Sequence, residues 1–311
     1  MAKPKILVTG ACGQIGTILV KNLRELYGED NVIASDIRTT GTYDGPYEQL
    51  DVTDSNKLFY LISKYQIDQI YHLAAILSAK GEANPVFTWN INMNGLLNIL
   101  EAARNYDLDK VFYPSTIAVF GQLTPRVNTP QHPNITPETV YGISKAAGEN
   151  WCQYYHKRYN VDVRSVRYPG IISWETLPGG GTTDYAVDIY LKAVADGKYT
   201  CYLDKDTRLP MMYMPDAIKA TLEIMNAPKE NIKVRTSYNI DAMDFTPAEI
   251  AAEISKTIPN FRIDYQPDFR QAIAASWPES VNDDAARIDW GWTPKYDLKM
   301  MTDDILKNLR K

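Results

Sequence analysis

Residues 5–36 constrain the fold of this chain more than any other stretch. Lys5-Ile6-Leu7-Val8-Thr9 is a short apolar run rich in branched side chains, the pattern of a strand buried on both faces. Glycines follow at once. An amphipathic stretch then places Ile15, Leu19, Leu23 and Leu26 on one helical face. Val32-Ile33-Ala34-Ser35-Asp36 is a second strand. Strand, glycine turn, helix and strand in so short a span form a βαβ unit, whose two strands run parallel.

The alternation continues. Residues 54–65 read as a helix, with Asp54 as N-cap before Leu58, Leu61 and Ile62. Residues 69–75 read as a strand ending in small residues, and 85–106 as a long helix with Pro85 early. A strand over 110–116, a helix over 141–159 and a strand over 161–168 follow. Strands alternating with helices predict an α/β fold, a doubly wound parallel Rossmann sheet. After Pro169-Gly170 the character changes. Residues 176–184 hold Pro178 and three successive glycines, the composition of a mobile loop. Helices over 185–196, 214–227 and 247–257 then mix with short strands and Pro-rich turns. The expected plan is a Rossmann domain over 1–170 and a smaller, mainly substrate-binding region over 171–311. Part of the latter, about 205–240, is expected to return to the first domain.

Composition excludes several classes. The formal charge is −5 and no basic run occurs, so nucleic acid is not expected as a partner. No stretch approaches the roughly 18 apolar residues of a membrane span. The N-terminal apolar run is too short for a signal peptide, which points to a cytoplasmic protein. Cys12, Cys152 and Cys201 are odd in number, and no two lie at metal-ligand spacing. His72, His132 and His156 are scattered. A disulfide framework and a metal site are both unexpected.

Residues 9–16 read Thr-Gly-Ala-Cys-Gly-Gln-Ile-Gly. Gly10, Gly13 and Gly16 sit between strand and helix, where the chain must turn sharply and let its backbone approach a pyrophosphate. The helix N-terminus supplies N–H donors and a positive dipole end. Cys12, Gln14 and Ile15 belong to the same loop and first turn and count as cofactor contacts. Asp36 ends the second strand, where an acid holds a ribose 2′-hydroxyl and repels a 2′-phosphate, so NAD is expected over NADP. Arg38 complicates this, because a nearby arginine can tolerate a phosphate. The alternative for Asp36 is a strand-end cap. Asp51 and Val52 follow a third short extended run and could touch the adenine; Asp51 alone reads equally as a turn aspartate.

Tyr141 and Lys145 are spaced i, i+4 and share one helical face. A free tyrosine, with a pKa of about 10, is a poor base at neutral pH. A neighbouring ammonium favours its phenolate, and a nicotinium ring adds to that. Tyr141 can then take a hydroxyl proton while the adjacent carbon gives up hydride, and Lys145 can reach the nicotinamide ribose. Taken alone, the pair also describes an ordinary surface helix. Ser115 and Thr116, at the end of the preceding strand, favour the catalytic reading by placing a hydroxyl at the sheet edge where ligands bind.

Taken jointly, Gly10, Gly13 and Gly16, the strand end His72-Leu73-Ala74-Ala75, Asn92 three residues before Gly95, Ser115-Thr116 and the Tyr141/Lys145 pair resemble the extended short-chain dehydrogenase/reductases. UDP-galactose 4-epimerase is the familiar member. The resemblance spans about residues 4–172. It implies that Asn92 helps order an active-site water, that Thr116 is the active-site hydroxyl, and that Tyr141 is the base with Lys145 its partner. It also implies that Leu73, Ala74 and Ala75 line the NAD site. Tyr168-Pro169-Gly170, with Ile171, would meet the nicotinamide amide. A homodimer through a four-helix contact is the family expectation.

Residues 178–190 and 276–292 are similar to the short-chain type of L-threonine 3-dehydrogenase. That resemblance implies oxidation of L-threonine at its C3 hydroxyl to 2-amino-3-oxobutyrate. Ser78, Gly81, Thr116, Tyr141, Thr182, Thr183, Asp184 and Trp277 are the candidate substrate contacts, with Asp184 for the ammonium group. The choice between Thr182 and Thr183 stays open. Trp277 and Trp290 also read as core residues. The segment Pro178 to Asp184 is expected to close over substrate. Two other functions compete: a sugar-nucleotide epimerase or reductase, and a non-enzymatic dinucleotide sensor. The complete Thr116/Tyr141/Lys145 set argues against the sensor.

Overall fold

The computed structural model describes residues 3–41, 44–176 and 181–310. From the N-terminus the chain forms β1 (Ile6–Thr9), α1 (Gln14–Tyr27), β2 (Val32–Asp36), β3 (Tyr47–Gln49), α2 (Ser55–Tyr65), β4 (Gln69–His72), α3 (Ser78–Gly81) and α4 (Pro85–Asn105). There follow β5 (Lys110–Phe112), β6 (Ser115–Thr116), α5 (Val140–Tyr159), β7 (Val163–Arg164), β8 (Val166–Tyr168) and β9 (Gly170–Ile172). The remainder gives α6 (Tyr185–Asp196), β10 (Lys198–Cys201), β11 (Leu209–Tyr213), α7 (Met214–Asn226), β12 (Tyr238–Asn239), β13 (Met243–Phe245) and α8 (Pro247–Thr257). The last elements are β14 (Arg262–Tyr265), α9 (Phe269–Ala275), α10 (Asp284–Trp290) and α11 (Leu298–Leu309).

Six strands form one parallel sheet in the order β3-β2-β1-β4-β5-β7. The chain leaves β1 for β2 on one side and comes back to β4 on the other. The carboxyl ends of β1 and β4 therefore border the crevice where doubly wound folds bind ligands. The central strands β1, β2, β4 and β5 are mainly apolar and buried, because both faces of the sheet are covered there. Ile6, Val8, Val32 and Ala34 pack with α1 and α7 residues on one face, and Leu7, Ile33, Ile70 and Val111 with α2 and α4 residues on the other. Each fully buried branched side chain contributes about 1.5–3 kcal/mol.

The two long strands read from the sequence are broken. The run over 110–116 stops pairing with the large sheet at Pro114, which has no N–H to donate. Tyr113 still donates to Arg164 O at 3.0 Å. Beyond Pro114 the chain joins a small parallel sheet, β12-β8-β6. The run over 161–168 divides in the same way at Ser165, whose carbonyl accepts from Tyr238 N at 3.0 Å. The strand over 69–75 ends at His72, leaving Leu73, Ala74 and Ala75 to form cavity wall. On α1 the buried stripe is Gly16, Leu19, Val20 and Leu23 with Ile18, so Leu26 at its margin is 52% exposed. Helix α2 carries the expected cap, Asp54 accepting from Lys57 N at 3.0 Å, and the expected buried Leu58, Leu61 and Ile62.

The two regions interleave. Ile117, Val119 and Phe120, just after β6, pack in the core made by α6, α8 and α11. Conversely Met212, Ala217, Ile218, Tyr238, Ile240 and Trp292 pack against the large sheet. Trp290 is half-buried beside that core, 5.8 Å from the Trp292 ring.

Candidate active site

The phosphate loop owes its shape to two glycines. Gly10 has φ +69°, and a Cβ there would lie 2.6 Å from Ala74 N. A Cβ on Gly16 would lie 2.4 Å from Gly10 O, so only glycine lets helix and loop approach. The N-cap of α1 is Gly13, with no side-chain cap and no acid in the first turn. The first N–H groups of α1 and its positive dipole end are thus left for an anion. Gln14 adds a buried side-chain nitrogen, Nε2, with no hydrogen-bond partner. An anionic dinucleotide fits this wall.

Two cavities meet at Gly10, Gly13, Leu73 and Ala75. The first, about 310 Å³, is bordered by Asp36, Arg38, Asp51, Val52 and Ala74. Asp36 Oδ2 accepts from Cys12 N at 3.0 Å, and Oδ1 from Arg38 N at 3.3 Å. The Arg38 side chain stands 66% exposed with Nε 4.0 Å from Asp36 Oδ1. Asp51 serves as a turn residue, its Oδ1 accepting from Thr53 N at 2.9 Å and Thr53 Oγ1 at 2.7 Å, and also borders the cavity. Cys12 borders neither cavity. It contributes its backbone N–H to Asp36, and its Sγ lies 3.8 Å from Tyr47 Oη. Ile37, Leu50, Ile76, Phe87 and Ile91 complete this cavity. The sequence reading missed them because apolar walls for a flat base carry no polar signature.

The second cavity, about 220 Å³, joins the loop to the reacting groups. Thr116, Tyr141, Lys145, Gln14, Ile15, Gly16, Tyr168, Gly170 and Ile171 all border it, as do Ser78, Thr182, Thr183, Asp184 and Trp277. Thr139 caps α5 by accepting from Gly142 N at 3.0 Å, which fixes where Tyr141 enters the helix. Lys145 Nζ donates to Pro114 O at 2.7 Å and lies 4.4 Å from the Tyr113 ring centre and 5.8 Å from that of Tyr141. Tyr168 borders the cavity, but its hydroxyl is bonded elsewhere. Its hydroxyl is shared with Thr221 Oγ1 and donates to Ala217 O at 3.3 Å.

Enclosing these groups disfavours their charged forms. Burial pushes the Tyr141 hydroxyl up to about 12, with a hydrogen bond to Thr116 pulling the other way. Burial also pushes Lys145 down to about 7, opposed by its electrostatic interactions with Cys152, whose own thiol burial holds in the protonated form, and with Glu149. The sequence reading expected Lys145 to favour the phenolate. In the protein alone burial dominates and the opposing contribution comes from Thr116, so a positive charge in the cavity is what would lower Tyr141.

Two candidates sit elsewhere than expected. Gly81 does not border the cavity; as the last residue of α3 it packs against Thr88, whose Oγ1 donates to Gly81 O at 3.0 Å. Asn92 is also outside the cavity. Its Oδ1 accepts from Ile76 N at 2.9 Å, and its Nδ2 donates to Ile76 O at 3.2 Å and Ser144 Oγ at 3.1 Å. Ser144 Oγ donates in turn to Tyr141 O at 2.8 Å. Asn92 therefore acts here as a strut between α4, the Ile76 backbone and the start of α5.

On the substrate side Ser78 Oγ lies 3.3 Å from Thr182 Oγ1, and Asp184 Oδ2 accepts from Gly181 N at 2.7 Å. Both Thr182 and Thr183 border the cavity, so position alone leaves that choice open. Trp277 is both core and wall, 5% exposed. Pro178, Gly179 and Gly180 of the expected lid lie outside the described residues. Leu77, Pro114, Ser115, Ile117 and Pro169 border the cavity too, each beside a residue the motifs had marked. Among the described residues no three His, Cys, Asp or Glu side chains are grouped to hold a metal ion, and no helix is long and apolar enough to cross a membrane.

Residues 6–241 match the NAD dependent epimerase/dehydratase family. An uncharacterized epimerase/dehydratase of Staphylococcus aureus is 50% identical over 312 residues, which cover 99% of this chain and 97% of that protein. Among solved structures, a GalE-like L-threonine dehydrogenase from Cupriavidus necator, in its holo form, is 55% identical with a TM-score of 0.97, covering 98% of this chain and 100% of that one. L-threonine dehydrogenase from Phytophthora infestans is 49% identical with a TM-score of 0.96, covering 98% and 99%.

Proposed function

The chain belongs to the NAD dependent epimerase/dehydratase family, and we propose that it oxidises L-threonine at the C3 hydroxyl to 2-amino-3-oxobutyrate. NAD is its cofactor. One observation carries the substrate reading: a small cavity of about 220 Å³ puts hydroxyls and a carboxylate, from Ser78, Thr182, Thr183 and Asp184, in one chamber with Thr116 and Tyr141. The similarity to two L-threonine dehydrogenases at about half identity supports the same choice.

The first turn of α1 and the Gln14 side chain would hold the pyrophosphate of NAD, and Asp36 the adenosine ribose, with Ile37, Leu50 and Val52 beside the adenine. Bound NAD supplies the hydride acceptor and a positive charge. Tyr141 Oη, deprotonated, takes the proton of the C3 hydroxyl, and Thr116 Oγ1 hydrogen-bonds the same substrate oxygen. The Lys145 ammonium stabilises the phenolate across one helical turn. Asp184 faces the substrate ammonium. Trp277 and Tyr168 close the walls against water. Because Tyr141 must lose its proton, activity rises with pH through the titration of the Tyr141/Lys145 pair.

A homodimer through α4 and α5 is part of this reading. Val86 and Trp89 on α4, and Ile143, Trp151 and Tyr154 on α5, are exposed large apolar residues that such a contact would cover. A reducing, cytoplasmic setting suits three free cysteines. The test is to mix the protein with NAD and screen L-threonine, other amino acids and UDP-sugars by NADH absorbance. L-threonine should generate NADH and UDP-sugars should not. Silence with threonine, together with interconversion of UDP-glucose and UDP-galactose, would overturn the proposal.

A further inference from the structure

Tyr141, Lys145 and Glu149 follow one another at i, i+4 and i+8 on α5, so all three share a face of that helix. The reaction described above uses only the first two. Glu149 is buried, and both of its oxygens are engaged. Ser115 Oγ donates to Oε1 at 2.5 Å, Arg167 Nε donates to the same oxygen at 2.9 Å, and Arg167 Nη2 donates to Oε2 at 2.7 Å. Ser115 immediately precedes Thr116 on β6, and Arg167 lies on β8.

The contacts continue past Arg167. Its Nη1 donates to Gln131 O and to Asn239 Oδ1, each at 2.9 Å. Asn239 Nδ2 donates to Thr129 O at 3.1 Å and to Asn282 O at 3.2 Å. Thr129 pairs with Val281 and donates its N–H to Ser280 O at 3.0 Å. Residues 280–282 lie a few positions past Trp277. A buried polar run therefore leads from the strand of Thr116, through the catalytic helix, to the segment that carries the substrate wall.

Stability alone does not explain a fully buried ion pair, since apolar residues of equal volume commonly serve as well. A bidentate carboxylate–guanidinium contact does fix rotation and register, which apolar packing fixes less sharply. We propose that Glu149 is a positioning residue: it locks α5 to β6 and β8 so that Tyr141 and Lys145 meet Thr116, and through Arg167 and Asn239 it keeps the Trp277 wall aligned with them. The proposal rests on the reading of Tyr141 and Lys145 as the proton-moving pair.

The same carboxylate acts on Lys145 electrostatically. Lys145 faces Tyr141, Glu149 and Cys152 on its own helix, His72 on β4, and Tyr113 with the Pro114 carbonyl between β5 and β6. Helix α4 sends Asn92, which is uncharged, to Ser144. Burial and the Lys145 charge both hold His72 neutral. Glu149 is the carboxylate that supports the Lys145 charge against burial.

The test compares wild type with Glu149→Gln and with Glu149→Gln/Arg167→Met, which removes both charges together and so leaves neither buried charge without its counter-ion. The Lys145 side chain is titrated by carbon-13 NMR in lysine-labelled protein without substrate, its signal assigned with Lys145→Arg. Both variants should move the Lys145 titration to lower pH and the acid limb of kcat with L-threonine to higher pH. Their kcat should fall about tenfold to hundredfold, with KM and NAD affinity within about threefold of wild type. A folded variant, single or double, in which the lysine titration and the kcat limb stay where wild type has them overturns the proposal. A wild type that is silent with L-threonine overturns the substrate reading alone, because the lysine titration needs no substrate and still decides this one.

Discussion

The two cavities that meet at Gly10 are assembled in different ways. The adenosine side takes its walls from residues 10–91, almost all from strand ends and turns of consecutive βα units. The substrate side gathers residues 10 and 78, 116, 141, 170, 182 and 277 into one chamber. The first is a product of local structure and would recur wherever the βαβ pattern recurs. The second exists only when two interleaved regions are packed together. Cofactor binding should therefore tolerate damage to the substrate side, and chemistry should not.

The sharpest test of that contrast is Tyr141→Phe. The change keeps the ring that fills the wall and removes the one hydroxyl placed to take the proton. General-base contributions run to roughly 10²–10⁴-fold, so kcat should fall by about that factor. NAD affinity, measured by calorimetry, should hold, because the α1 N-terminus and Asp36 carry it. A Tyr141→Phe enzyme with near-normal kcat would place the base elsewhere.

Lys145→Met separates catalysis from stability. Burial lowers the Lys145 titration to about 7 in the folded chain, while the unfolded chain keeps the ordinary lysine value. Between those two values the unfolded state binds more protons, so this group makes stability rise with pH through the window. The penalty is complete below about pH 7 and gone above the ordinary value. Lys145→Met should accordingly lose activity by at least about tenfold yet unfold at higher urea concentration near pH 7. Its gain is on the order of a few kcal/mol and should shrink as the pH approaches 10. Equal gains at pH 7 and pH 9.5 would show that lysine desolvation is not the cause.

Asp36→Ala probes the local side. The carboxylate is bonded to Cys12 N and Arg38 N, so a strand-end cap and a ribose ligand remain compatible descriptions. A hydrogen bond to a charged group is worth about 1.5–3 kcal/mol. If Asp36 holds the ribose, the ratio of NADP to NAD in kcat/KM should rise at least about tenfold, helped by the exposed Arg38. An unchanged ratio with a lowered Tm would leave Asp36 as a cap only.

This contrast also explains what the sequence could disclose. The glycine loop, Asp36, the Asp54 cap and the buried stripe of α2 are each set within a few residues, and each reads directly from spacing. The breaks at Pro114 and Ser165 depend on which strand lies alongside, although Pro114 carried a warning in its missing N–H. Gly81 and Asn92 were placed by resemblance. Their neighbours, Thr88 for one and Ile76 with Ser144 for the other, give them packing and bracing roles that no motif encodes. The bonds of Glu149 to Ser115 and Arg167 span 34 and 18 residues, beyond any helical or strand periodicity.

The smallest effect expected is also the one that sequence and position both leave open, the choice between Thr182 and Thr183. Thr182 is 1% exposed, and its Oγ1 lies 3.3 Å from Ser78 Oγ, a contact across 104 residues that joins the first region to the second. Thr183 is less buried, and its side chain lies where a Cβ on Gly170 would fall, 2.8 Å away, so it fills space under the strand end. Valine matches threonine in shape and removes only the hydroxyl. At position 182 that leaves the buried Ser78 hydroxyl without its partner, at a cost of about 1–3 kcal/mol divided between stability and binding. Thr182→Val should thus raise KM for L-threonine severalfold and lower Tm, with NAD affinity unchanged. Thr183→Val should change Tm little and KM by less than Thr182→Val does. The reverse order of KM would make Thr183 the substrate contact and Thr182 a strut between regions. Equal, negligible effects would mean that the substrate is held by Asp184 and Ser78 without either threonine.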